Sequence, residues 1–291
     1  MSVASEKVAD LSRPLKGKSV RRTIEVLEFM AQHRAGVTVM DVTRALGIPQ
    51  STTSELLGAL VDLGVAARDT TSRYYSATPR LAAIGLAAQS PRLADARFFE
   101  TMGGFARRTG LLIGLFGMND ASIQPYWVSG VAGDKGASQG EIDPGALFRN
   151  STTHLASGAV GLVLLSSLSH DRSSRLLWRI RSEVGEHEKF SHGDLCNSVQ
   201  SIRERGSASG ASGFGMALGA TAVMLPSAYG PQPLALAAFY PRASFIDTDA
   251  LAQAMLQELD GSLGSRDDRA DFGSYGRSVQ AVPHLSLVHS G

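Results

Sequence analysis

Residues 38–77 constrain the fold of this chain more than any other stretch: TVMDVTRALGIPQSTTSELLGALVDLGVAARDTTSRYYSA reads helix, tight turn, helix, short hairpin. Thr38 and Asp41 form a Thr-x-x-Asp pattern, in which a hydroxyl and a carboxylate cap a helix start reciprocally. That helix buries Val39, Val42 and Leu46, and Gly47 suits the left-handed residue that follows it. Ile48-Pro49 enters the next helix, since proline fits a first turn whose N–H would lack a partner anyway. This second helix packs Leu56, Leu57, Leu60, Val61 and Leu63, and Gly64 closes it. The runs Val65–Arg68 and Arg73–Ser76 flank the polar turn Asp69–Ser72, giving a hairpin. Two short helices around a glycine turn, followed by a hairpin, spell a winged helix-turn-helix.

Upstream, Ser19 can cap a helix in which Val20, Ile24, Leu27 and Ala31 form one buried stripe, with Gly36 ending it. In a helix-turn-helix the second helix enters the major groove and its first residues reach base edges. Gln50, Ser51, Thr52, Thr53 and Ser54 suit that task, being short or amide-bearing donors and acceptors. A serine and threonine run can also be no more than a set of competing N-caps; the helices around it favour recognition. Arg21, Arg22, Arg44, Arg68 and Arg73 are the candidate phosphate or minor-groove contacts. Whole-chain charge is only +1, but residues 1–80 carry 11 Lys/Arg against 8 Asp/Glu, leaving the remainder slightly acidic. No acid interrupts Arg13, Lys16, Lys18, Arg21 and Arg22, a basic arm of the kind that meets phosphate.

Three segments, SVRRTIEVLEFMAQH, VTVMDVTRALGIPQSTTSELLGALVDLGV and RDTTSRYYSATPRLAAIG, resemble in order and spacing the winged-helix domain of the isocitrate-lyase-regulator (IclR) family of bacterial transcription factors. The resemblance covers the first 90 or so residues. It implies double-stranded DNA as partner, a roughly palindromic operator, and a homodimer or dimer of dimers. It also implies that Arg80–Gln89 is a helix linking two domains and aiding dimerisation. One position departs: Glu55 stands where the family usually has arginine. Glutamate repels phosphate but accepts from cytosine N4, so the target sequence does not carry over from relatives.

Beyond Pro91, a helix to Arg108 precedes strands at Leu111–Met118, Ile123–Val128 and Ala146–Asn150. Thr152 or Thr153 caps a helix carrying Leu155, Val160, Val163 and Leu164; Asp171–Glu183 and Asp194–Arg205 are further helices. A flexible Gly206–Gly215 leads to strands at Met216–Leu225 and Leu234–Tyr240, then to a helix ending at Leu259. Strands, helices and strands again predict an α+β domain with one antiparallel sheet. The domain plan is a basic arm over 1–18, a winged helix-turn-helix over 19–78, a linker helix over 79–90, a second domain over 91–261 and a disordered tail over 262–291.

This second half is similar to the GAF-like effector-binding domain of the same family, most clearly at His154–Leu165, although Val160 replaces the usual lysine and Ser207–Ser212 a usual acidic run. Carried over, the effector cavity falls on Ser157, Gly158, Gly210, Met216, Leu218, Ala237 and Phe239. The alternation of Met216/Leu218 and Ala237/Phe239 puts each pair on one side of its strand, which is equally the signature of plain core. As a cavity they would favour a mainly apolar or aromatic effector, with Ser157 and helix N–H groups as polar handles. The family reading is a ligand-responsive regulator, more often a repressor, of a catabolic operon; the alternative is a second domain that serves assembly alone.

Other classes find little support. No apolar run is long enough to span a bilayer, and the first 20 residues lack the apolar region of a signal peptide. The single cysteine, Cys196, excludes an internal disulfide and fits a reducing cytoplasm. Gly-x-Ser-x-Gly, His-Glu-x-x-His and Walker patterns are absent, and Gly213-Phe214-Gly215 has the wrong context for a dinucleotide loop. His187, His192 and Asp194 are read as solvated rather than metal-binding, and His154 as a structural hydrogen-bonding residue. No enzyme activity, metal or cofactor is expected.

Overall fold

A computed structural model of the chain describes residues 18–129, 153–185, 190–214 and 218–262. The strand expected at Ala146–Asn150, Met216, His187, the arm up to residue 17 and the tail from 263 onward lie outside the described residues. Internal contacts divide the chain into two units, Met1–Gln89 and Ser90–Gly291.

In the first unit, helices α1 (Lys18–Gln32), α2 (Val39–Leu46) and α3 (Gln50–Asp62) precede strands β1 (Ala66–Arg68) and β2 (Tyr75–Ala77), and helix α4 (Pro79–Ala88) follows. The strands pair antiparallel from Ala66↔Ala77 to Arg68↔Tyr75, and Val37 bridges to Tyr75. Val26, Met30, Val42, Ile48, Leu57, Leu60 and Tyr75 form the core. The stripe expected on α1 is corrected in part: Val20 and Ile24 are 68% and 51% exposed and Ala31 is exposed, while Leu27 packs against the core beside the inward-facing Val26 and Met30. α1 is apolar on two adjacent stripes, and its packing on α2 and β2 selects the second. Leu63, expected in the core, is exposed past the end of α3.

The second unit begins with α5 (Pro91–Ala94) and α6 (Ala96–Thr109), which the sequence pattern reads as one helix. They separate at Asp95, whose carboxylate accepts the Arg97 N–H at 3.0 Å and caps the second piece. Then come β3 (Leu112–Asn119), β4 (Ser122–Ser129), α7 (Ala159–Ser166), α8 (His170–Glu183), α9 (His192–Arg205), β5 (Ser207–Ala211), β6 (Leu218–Met224), β7 (Ala235–Pro241) and α10 (Thr248–Ser262). The strands form one antiparallel sheet in the order β4-β3-β7-β6-β5. β5 lies where a flexible segment was expected. Its serine, alanine and glycine residues pair with β6 through the backbone and leave no alternating apolar pattern to read.

Successive strand residues point to opposite faces, and the core divides accordingly. On one face Leu112, Phe116, Ala220, Ala222, Ala237 and Phe239 pack with residues of α7, α8 and α9. On the other, Ile113, Leu115, Leu236, Ala238 and Tyr240 pack with residues of α6 and α10. α7 is apolar all round and correspondingly buried on nearly every side. Among the described residues, no helix is long and apolar enough to cross a membrane.

Candidate functional site

The start of α2 is fixed by local chemistry. The Thr38 N–H donates to Asp41 Oδ2 at 2.8 Å, its hydroxyl donates to the same oxygen at 2.7 Å, and the Asp41 N–H donates to Thr38 Oγ1 at 3.2 Å. The Thr38 side chain, then its backbone N–H, hold the Asp41 carboxyl below the usual carboxylate range. Gly47, at φ 63°, turns the chain, and Pro49 leads into α3.

This arrangement sorts the polar run on α3 into two sets. Gln50, Ser51 and Ser54 are exposed, and Thr52 is half-buried. Thr53 is corrected as a base-reading residue: it is completely buried, beyond the reach of any external partner. Its hydroxyl receives the Thr43 hydroxyl at 3.3 Å and points to the Ile48 carbonyl at 3.5 Å, so it ties α3 to α2 and to the turn. Spacing separates the two roles. At about 100° per residue, Thr53 lies nearly opposite Ser51.

Arg44 is exposed in the last turn of α2, and Arg21 is exposed and Arg22 half-buried on α1. In the wing, the Asp69 N–H donates to the Tyr74 carbonyl at 2.9 Å. Asp69 Oδ1 accepts the Thr71 N–H at 2.8 Å and Oδ2 accepts the Ser72 hydroxyl at 2.7 Å. The Ser72 hydroxyl, then the N–H groups of Thr71 and Ser72, hold the Asp69 carboxyl below its ordinary range. Arg73 takes a left-handed backbone, φ 61°, which a side chain other than glycine adopts at a cost. The Arg68 guanidinium lies 5.6 Å from the centre of the Tyr75 ring, a cation–π contact that holds it beside the strand. Both arginines are exposed, and neither enters an ion pair among the described residues.

In the second unit, Ser157 and Gly158 abut the segment after β5. A Cβ on Gly158 would fall 2.4 Å from the Ala211 carbonyl and 2.6 Å from the Gly213 nitrogen, so this approach admits only glycine without a shift. Gly210 pairs with Ala220 at the exposed sheet edge, while Leu218, Ala237 and Phe239 are buried. Phe239 packs against Phe116 at 5.5 Å and Phe214 at 5.7 Å between ring centres, and Phe116 meets Phe214 at 5.5 Å. Phe214 is what the sequence reading missed; its one signal was a lone aromatic inside a glycine and serine run. Nearby, His154 has a buried Nδ1 without a hydrogen-bond partner among the described residues. His192 stacks on Trp178 at 4.3 Å with Cys196 Sγ 3.6 Å from its Nε2, and the described residues hold no group of three metal-ligating side chains.

Residues 19–70 match the model of the IclR helix-turn-helix domain. Solved structures are similar at fold level. An IclR transcriptional regulator from Alicyclobacillus acidocaldarius shares 19% identity, over 84% of this chain and 95% of that one, with a TM-score of 0.50. The Thermotoga maritima IclR shares 14%, over 84% and 98%, with a TM-score of 0.50. An IclR homolog from Microbacterium hydrocarbonoxydans, complexed with 4-hydroxybenzoate, shares 17%, over 84% and 98%, with a TM-score of 0.49. No curated protein matches the chain.

Proposed function

We propose that this chain, whose residues 19–70 match the IclR helix-turn-helix domain, is a ligand-responsive repressor that reads a palindromic operator. The observation that carries this reading is the exposed polar face of α3, Gln50, Ser51 and Ser54, on a helix that the capped α2 and the turn at Gly47 hold in place. Arg44, Arg68 and Arg73, with Arg21 and Arg22, supply the phosphate contacts that position it.

Two half-sites require two copies. α4 has no buried residue although it reads RLAAIGLAA after its proline, and Ile84 and Leu86 are 53% and 55% exposed. With Val20 and Ile24 on α1 they offer apolar surface that a second copy would cover. A small, mainly apolar effector in the second unit, near Ser157, Gly158 and the Phe116/Phe214/Phe239 cluster, would favour one arrangement of the dimer, since only differential affinity shifts an equilibrium. α4, through which the chain passes from one unit to the next, would carry the change.

A second reading has its own support. Ala237 and Phe239 are packed as core, which fits a domain that serves assembly alone. The two differ in whether any small molecule changes DNA affinity. The common part is tested by salt titration of DNA binding by the full chain and by Arg73→Ala. Loss of one phosphate contact should flatten the slope of log K against log salt by about 0.9 and weaken binding to every duplex alike. A changed base preference with an unchanged slope would overturn that role for Arg73.

A further inference from the structure

Within the DNA-binding reading, the exposed face of α3 contains a group that phosphate positioning does not account for. Glu55 follows the polar run on a helix, QSTTSELLGALVD, that carries no basic residue. It is exposed and enters no ion pair or hydrogen bond among the described residues. At about 100° per residue, Glu55 lies nearly opposite the buried Thr53 and Leu60, at the middle of the outward face. Its neighbours on that face are short. Ser51 and Ser54 precede it, and Gly58, one turn on, has open space where a Cβ would stand. Glu55 is therefore the side chain that reaches furthest from the middle of the helix.

An ionised carboxylate only accepts hydrogen bonds. Against the phosphate backbone it is repelled, so the favourable contact open to it on a DNA-bound α3 is a base edge. There guanine offers the acceptors N7 and O6, thymine an acceptor and a methyl group, and adenine a donor beside an acceptor. Cytosine offers the N4 amino group alone. We propose that Glu55 is a base-reading residue of this protein and that it selects cytosine, accepting a hydrogen bond from N4 in the major groove. The assignment rests on α3 being the recognition helix.

The test selects bound duplexes from a randomised library with the full chain, wild type, E55A and E55Q, each first checked for an unchanged melting temperature. The wild-type pool should hold a C·G pair at one position of each half-site, favoured about 10-fold or more. E55A should lose preference at that position alone. E55Q should shift it toward adenine, which glutamine contacts through N6 and N7. The same enriched sequence from all three proteins would overturn the assignment, as would uniformly tighter binding by E55A, which would place Glu55 among phosphates. Enrichment of no sequence by the wild type would instead overturn the DNA-binding reading, and the assignment with it.

Discussion

The two units solve opposite problems. The first must display side chains, so its informative residues are exposed and its buried ones keep a helix in place. Thr53 and Ser54 are chain neighbours, yet one is wholly buried and the other faces outward. The second unit would have to enclose something, and there the informative residues are buried ones brought together across the sheet. Phe116, Phe214 and Phe239 come from three separate segments and meet only because β3, β7 and β6 pair as they do. Display can be specified by a short stretch of chain. Enclosure requires the whole sheet.

Substitutions can break or sharpen that contrast. The largest effect should come from Phe239→Ala, which should cost the second unit about 3–5 kcal/mol through a lost side chain and an incompletely collapsed cavity. Hydrogen exchange should register it in β3, β6 and β7 and leave α2 and α3 unchanged; equal loss of protection in α2 would mean that the units do not unfold separately. Gly158→Ala should cost about 1–3 kcal/mol in urea unfolding, since the new methyl group meets the Ala211 carbonyl and the Gly213 nitrogen, both backbone atoms.

In the first unit the costs should be smaller and divide by face. Thr53→Ala should cost about 1 kcal/mol, from a buried hydroxyl and its tie to Thr43. It should lower affinity for all duplexes equally, and a change of base preference would contradict its burial. Arg73→Gly should separate charge from backbone: it should stabilise the wing by about 1 kcal/mol, because the left-handed conformation suits glycine, while weakening DNA binding.

The smallest effect should be that of pH. Asp41 and Asp69 both titrate below the ordinary carboxylate range in the folded unit. A depressed folded pKa adds stability above the unfolded value of about 4, and that contribution is lost as pH falls through the lowered value. Melting of the full chain should therefore show no change from these groups between about pH 7 and 5 and a decline below about pH 4. Asp69→Asn should remove part of the acid decline.

The same contrast governs what the sequence made legible. The Thr38–Asp41 cap, Gly47 and the hairpin follow from residues a few positions apart, and the structure has each of them. The α1 stripe was misread because two apolar stripes lie side by side and only packing chooses between them. Thr53 was misread because composition identifies a polar run, whereas helical phase divides it. In the second unit the antiparallel sheet and its helices were readable from periodicity, but β5 was not, since backbone pairing of small residues leaves no apolar rhythm. The place of Phe214 depends on contacts far along the chain, which no local pattern encodes.

The central claim, that the outward face of α3 reads DNA sequence, is tested most directly by fluorescence anisotropy of the full chain. One duplex would be enriched from a randomised library and the other a scramble of the same composition, both at physiological salt. The account predicts binding to the enriched duplex at least about 10³-fold tighter than to the scramble, with the preference reduced by Ser51→Ala or Ser54→Ala. Equal affinity for both duplexes, or a preference untouched by any substitution on that face, would contradict it.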